Sequence, residues 1–176
     1  MTDLTRKVND LMTGHPIWIP GAARVDEASI LARIENVHYL LVADRDKDLV
    51  GVACLCDLSR ANADDRMATL AHSPPTYIMS GETVENAVAM MFRCSVGCLP
   101  VLEEPGQVIG ILTRHDLVRA GFLELERGVT QCASCGATHN LTRDGNGVKF
   151  CQDCLECTPD KGTLEREFYC TLGGGD

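Results

Sequence analysis

The sequence predicts an α/β (α+β) fold: two tandem βαββα units followed by a small zinc ribbon. Two observations carry this. The chain aligns on itself without gaps at an offset of 59 residues, the spacing of Asp57 and Asp116. Past the second copy stand two Cys-x2-Cys pairs, Cys132/Cys135 and Cys151/Cys154, with fifteen residues between them. The copies fall at 1–62 and 63–128, and 129–176 is ribbon and tail.

In that register Leu11 meets Leu70, Pro16 meets Pro75, Ile19 meets Ile78, Val25 meets Val84 and Ala28 meets Ala87. Further along, Val37 meets Val96, Leu40 meets Leu99, Val42 meets Val101 and Gly51 meets Gly110. The run Asp57-Leu58-x-Arg60-Ala61 returns as Asp116-Leu117-x-Arg119-Ala120. One register kept across both copies marks a duplication.

Each copy opens on a short extended piece after a proline, Ile17-Trp18-Ile19 and Thr76-Tyr77-Ile78. A helical pattern follows, with Ala28, Leu31 and Ile34 in the first copy and Val84, Ala87 and Met91 in the second. Thr83 is placed to cap the second of these helices. Two strands come next, 39–43 and 49–54 around a charged turn, and 98–102 and 108–113 around Pro105-Gly106. They are apolar nearly throughout, which predicts burial on both faces. A last helix starts near Asp57 and Asp116, where a carboxylate favours a helix N-terminus. One unit of about 60 residues buries too little surface to be comfortable alone, so two should pack together.

Composition excludes several classes. The 176 residues carry a net charge of −9, and the tail holds four basic against seven acidic side chains, so no basic surface for nucleic acid is predicted. The first ten residues have no apolar core of signal-peptide length, and no apolar run reaches membrane-spanning length. A cytoplasmic protein is expected, in which ten cysteines read as metal ligands and buried thiols, not as disulfides.

Each copy ends its second long strand as Gly-x-x-(Cys/Thr)-x-x-Asp: Gly51, Cys54, Asp57 and Gly110, Thr113, Asp116. A carboxylate at such a strand-to-helix junction either caps the helix or accepts both hydroxyls of a ribose, to which the Thr113 hydroxyl adds a hydrogen bond. Arg114 and His115 offer donors for phosphate.

On these residues the sequence resembles a cystathionine-β-synthase domain pair, or Bateman module, over about residues 4–121. The resemblance rests on Met12-Thr13-Gly14-His15-Pro16, on Leu99-Pro100-Val101 and on both terminal motifs. It implies a pseudo-twofold module, homodimers that pair modules into a disc, and adenosine compounds such as AMP, ADP or ATP bound in the clefts between units. The family's ligand-binding Thr and Asp fall on Thr113 and Asp116, and in the first copy on Asp57. That copy departs from the pattern: Cys54 replaces the threonine, and Leu55-Cys56 replace Arg114-His115. A thiol is a weak donor and the cation is lost, so the cleft using Thr113–Asp116 is the better candidate.

In the tail, Cys132, Cys135, Cys151 and Cys154 form two knuckles that hold one Zn2+ tetrahedrally at about 2.3 Å. Leu141-Thr142-Arg143 and Val148-Lys149-Phe150 read as a hairpin around Asp144-Gly145-Asn146-Gly147. Four thiolates close the coordination sphere, so this zinc is structural, and it supplies much of the tail's stability. Iron accepts the same four ligands. His139 and Cys157 are substitute ligands, Cys170 a free thiol. Cys54, Cys56, Cys94 and Cys98 read as small buried hydrophobes or as a second metal or redox site. His15, His38 and His72 show no ligand spacing.

No P-loop, dinucleotide fingerprint or nucleophile motif is present, so no enzyme is predicted. The predicted function is a regulatory module binding an adenosine ligand and acting on a protein partner of unknown identity through ribbon or dimer surfaces. Alternatives are a metal or redox sensor using the ribbon cysteines, or a ligand-free dimerisation scaffold.

Overall fold

The computed structural model describes residues 5–122, 132, 140–143 and 149–152. A 3-10 turn, Val8–Asp10, precedes β1 (Thr13–Gly14). The first copy supplies β2 (Trp18–Pro20), α1 (Val25–Ile34), β3 (Tyr39–Ala43), β4 (Leu49–Cys54) and α2 (Leu55–Arg60), and α3 (Met67–Leu70) follows. The second copy supplies β5 (Ile78–Met79), α4 (Val84–Cys94), β6 (Cys98–Glu104), β7 (Gln107–Thr113) and α5 (Arg114–Arg119). In the tail, β8 (Leu141–Arg143) and β9 (Lys149–Cys151) pair antiparallel, Leu141 opposite Cys151.

Among the described residues the chain forms two compact units. One is 17–75; the other joins 76–122 and the tail hairpin to the N-terminal segment 5–16. In the first, the sheet order is β2-β3-β4, with β2 parallel and β4 antiparallel to β3. In the second it is β1-β7-β6-β5, with β5 parallel to β6.

The N-terminal segment of each copy pairs with the sheet of the other copy. β1 pairs with β7, Thr13 opposite Ile111 and Gly14 opposite Gly110. The equivalent positions, offset by 59 residues, repeat the contact, His72 bridging Val52 in the first-copy unit. The turns just upstream each plug a core with a fully buried side chain, Val8 in one unit and Met67 in the other. Close approach of the crossing segment requires glycine at the strand it meets. A Cβ on Gly110 would stand 2.9 Å from the Thr13 carbonyl, and one on Gly51 2.9 Å from that of His72.

Local chemistry explains the helices. α4 is capped by Thr83, whose hydroxyl accepts from the Asn86 N–H at 3.2 Å, and it ends at Ser95 in the left-handed region (φ 55°). Its Val84, Ala87 and Met91 are buried, the stripe the periodicity predicts. α1 starts with Glu27 accepting the Arg24 N–H at 2.8 Å, and Asp26 and Glu27 favour its N-terminal dipole. Its buried stripe is Val25, Ala28 and Ala32. Ile34, predicted on that stripe, is 73% exposed, because it lies two residues past Ala32, about 200° round the helix.

Candidate functional site

Two strand-to-helix junctions carry the polar chemistry, one per unit. In the second-copy unit Thr113 closes β7 and caps α5. The Asp116 N–H donates to the Thr113 hydroxyl at 3.2 Å. In return Asp116 Oδ2 accepts the Thr113 N–H at 2.8 Å and its hydroxyl at 2.6 Å. Oδ1 accepts the Thr13 hydroxyl at 3.4 Å. Asp116 is 5% exposed, so these donors replace the water a buried carboxylate gives up. It therefore does cap the helix, as one of the two sequence readings holds, and a carboxylate oxygen with two lone pairs retains acceptor capacity beyond that.

Arg114 points inward. It is buried, its Nε donates to the Val96 carbonyl at 3.3 Å, and its guanidinium lies over the Phe92 ring at 5.3 Å. The charge that the sequence offers to a phosphate is thus packed against the end of α4. Burial pushes the His115 imidazole below its usual range, with Asp116 opposing that shift.

The first-copy junction has the same backbone and different chemistry. Asp57 Oδ2 accepts the Cys54 N–H at 3.0 Å and lies 3.2 Å from His72 Nε2. Burial raises the Asp57 carboxyl, but the His72 ring and Cys54 outweigh it and hold the group below the usual carboxylate range. Its hydrogen bond to Asp57 raises His72 correspondingly. Sequence reading gave His72 no role; it occupies the position equivalent to Thr13, and that register was the available signal. His38, likewise unassigned, lies beside Cys54 and Cys56.

A cavity of about 830 Å³ opens at the other end of β4, beside Val50, Asp44, Arg45 and Arg66. None of the motif residues lines it. In the tail, Cys132 and Cys151 are fully buried, and Cys151 ends β9. Cys135 and Cys154 lie outside the described residues, as do Gly128, His139, Cys157 and Cys170. No helix of the described residues is long and apolar enough to cross a membrane.

The profile of the CBS domain matches twice, over residues 8–64 and 67–122. The magnesium transporter MgtE of Bacillus subtilis is 25% identical over 134 residues, 72% of this chain and 29% of the transporter. The chain thus spans less than a third of that relative. The solved cytosolic domain of the Mg2+ channel MgtE in complex with ATP superposes with a TM-score of 0.58 at 26% identity, covering 64% of this chain and 48% of the other. CBSX2 in complex with AMP superposes with a TM-score of 0.56 at 28% identity, covering 65% and 95%.

Proposed function

The chain belongs to the CBS domain family, and from that premise we propose that it is a non-catalytic regulatory module whose CBS pair binds an adenosine nucleotide. Thr113 and Asp116 hold the ribose of that ligand, Arg114 and His115 meet its phosphate, and Asp57 serves the weaker first-copy site. The observation that carries this reading is the matched pair of junctions, each placing a carboxylate where strand turns to helix. Support comes from the AMP and ATP held by the two solved relatives. Binding shifts the module between arrangements, and the signal is the difference in affinity between them.

The tail cysteines Cys132, Cys135, Cys151 and Cys154 hold a structural zinc in this reading. The buried Cys132 and Cys151, the latter at the end of the antiparallel β8–β9 pair, support it, since four thiolates close a structural zinc site. The module acts as a homodimer through its helices and passes the state of the ligand site to a protein partner. Ile30 and Ile34, 59% and 73% exposed on one side of α1, support that surface.

Calorimetric titration of the zinc-loaded protein with adenosine, AMP, ADP and ATP tests the reading. Saturable binding of at least one is expected. No heat from any of them at millimolar concentration rejects the nucleotide module in favour of a scaffold or a metal sensor.

A further inference from the structure

His38, Cys54 and Cys56 converge in the first-copy unit. Their ligand atoms, one imidazole nitrogen and two sulfurs, all lie within 4.8 Å of one another, and Cys56 Sγ is 3.8 Å from His38 Nε2. Three different elements bring them there. His38 sits directly before β3, Cys54 is the last residue of β4, and Cys56 is the second residue of α2. The His38 carbonyl accepts the Leu55 N–H at 2.9 Å, which ties the histidine backbone to the residue between the two cysteines. His38 and Cys56 are 4% and 1% exposed, while Cys54 is half-buried and leaves the cluster reachable from solvent.

The repeat supplies an internal control. At the equivalent positions the second copy carries Gly97, Thr113 and His115. Both thiols, and the imidazole at the first of the three positions, belong to the first copy alone. The substitutions that weaken Asp57's junction as a ribose and phosphate site therefore assemble a different donor set, two sulfurs and a nitrogen.

We propose that His38, Cys54 and Cys56 bind a thiophilic divalent cation of the zinc type, leaving its fourth coordination position open to an exogenous ligand. Tetrahedral bonds of about 2.3 Å to sulfur and about 2.0–2.1 Å to nitrogen set donor atoms about 3.5–3.8 Å apart. The Cys56–His38 pair is already near that separation, and metal binding would have to turn the Cys54 sulfur, within 4.8 Å of the other two donors, away from its cap on α2. The charges of the donor set also balance, with the neighbouring Asp57 carboxylate paired to His72. Two thiols release two protons, and two thiolates with a neutral imidazole then cancel a dication, so little net charge is buried. A three-ligand centre with an open position differs in kind from the four-thiolate ribbon, whose sphere is closed.

The test uses the full-length protein, stripped of metal and titrated with Co2+ as a spectroscopic probe for Zn2+. The wild type should take up one more equivalent than Cys54→Ser or Cys56→Ser, with a correspondingly larger thiolate-to-cobalt absorption, of which each variant keeps only the ribbon's share. Competition with a chelator should show that extra Zn2+ site weakened more than about 100-fold in Cys54→Ser, since even outer-shell changes cost 10–100-fold. Far-UV circular dichroism of the metal-free proteins checks folding. Should buried Cys56→Ser fail that check, the half-buried Cys54→Ser carries the test. A Cys132→Ser/Cys151→Ser variant separates this site from the ribbon, because it should keep the equivalent that Cys54→Ser loses. Equal Zn2+ affinity of the wild type and Cys54→Ser in the chelator competition overturns the proposal, whatever the ribbon does.

Discussion

Thr13 donates its hydroxyl to Asp116 Oδ1 at 3.4 Å, across 103 residues of chain. His72, at the equivalent position 59 residues later, meets Asp57 at 3.2 Å in the other unit. Each junction carboxylate is thus approached by the N-terminal segment of the other copy. At 3.4 Å the Thr13 contact is long for an O–H···O bond, so it orients the carboxylate more than it stabilises it. What fixes the segment is the backbone pairing beside it, and that pairing depends on glycine.

Gly110→Ala should therefore destabilise the protein by about 1–3 kcal/mol, the usual cost of overpacking. The added Cβ would lie 2.6 Å from Met12 Sδ, which can swing away, and 2.9 Å from the Thr13 carbonyl, which is held by the sheet. Urea unfolding measures the loss, and limited proteolysis should cut within 5–16 sooner than in the wild type. Unchanged stability would show that the crossing segment is not held against β7.

Much of this arrangement was legible in the sequence, and the rest was hidden for physical reasons. Strands 39–43 and 49–54 match β3 and β4 residue for residue, because apolar runs bounded by a charged turn leave few alternatives. β1 escaped notice since two residues carry no periodicity and pair through backbone groups that any residue has. The repeated spacing picks out Thr113 and Asp116 as a strand-to-helix junction, which they form, while their role toward a ligand comes from the family resemblance and not from spacing. The sequence offers Arg114 as a donor for phosphate but does not fix its direction, and its flat guanidinium lies over Phe92 inside the unit. His38 lies 16 and 18 positions from its cysteines, so only the folded sheet brings them together.

The tail should depend on metal and the repeat should not. Cys132→Ser or Cys154→Ser is expected to cost the ribbon zinc, about one Zn per chain by elemental analysis, because removing one thiolate opens a closed tetrahedral site. The thermal transition of the two units should stay within about 2 °C, their cores being built from residues before 123. Full zinc retention in both variants would dismiss the ribbon.

His115 should make the protein lose stability as pH falls. Its folded-state pKa lies below the ordinary 6.5, chiefly through burial. On acidification the unfolded chain takes this proton first, so the contribution is intact above the unfolded value and is lost as pH falls below it. The drop in unfolding free energy between about pH 7.5 and about pH 5.5 should be smaller in His115→Gln than in the wild type. An identical drop would place the imidazole in an environment like water.

Helix α1 should hold the dimer. Ile30 and Ile34 lie one turn apart and are largely exposed, and two copies meeting about a twofold axis would cover both at once. Ile34→Glu should shift the protein from dimer to monomer in sedimentation velocity at micromolar concentration without changing its circular dichroism. A wild-type monomer under the same conditions would contradict the dimer outright.

The nucleotide reading makes its sharpest claim at Asp116 and Arg114. Hydrogen bonds to a charged group are worth about 1.5–3 kcal/mol each, so Asp116→Ala should weaken nucleotide binding at least tenfold. Because Asp116 also caps α5, that variant loses stability too, and Asp116→Asn, which keeps an acceptor for the Thr113 N–H, separates the two effects. Asp57→Ala should do less, its junction lacking both the arginine and the hydroxyl. To reach a phosphate, Arg114 must leave the Val96 carbonyl and the Phe92 ring. Arg114→Ala should then penalise AMP, ADP and ATP more than adenosine, in calorimetric titrations of all four. Equal losses for all four compounds would mean that the guanidinium stays where it is packed and supports the site only through the fold.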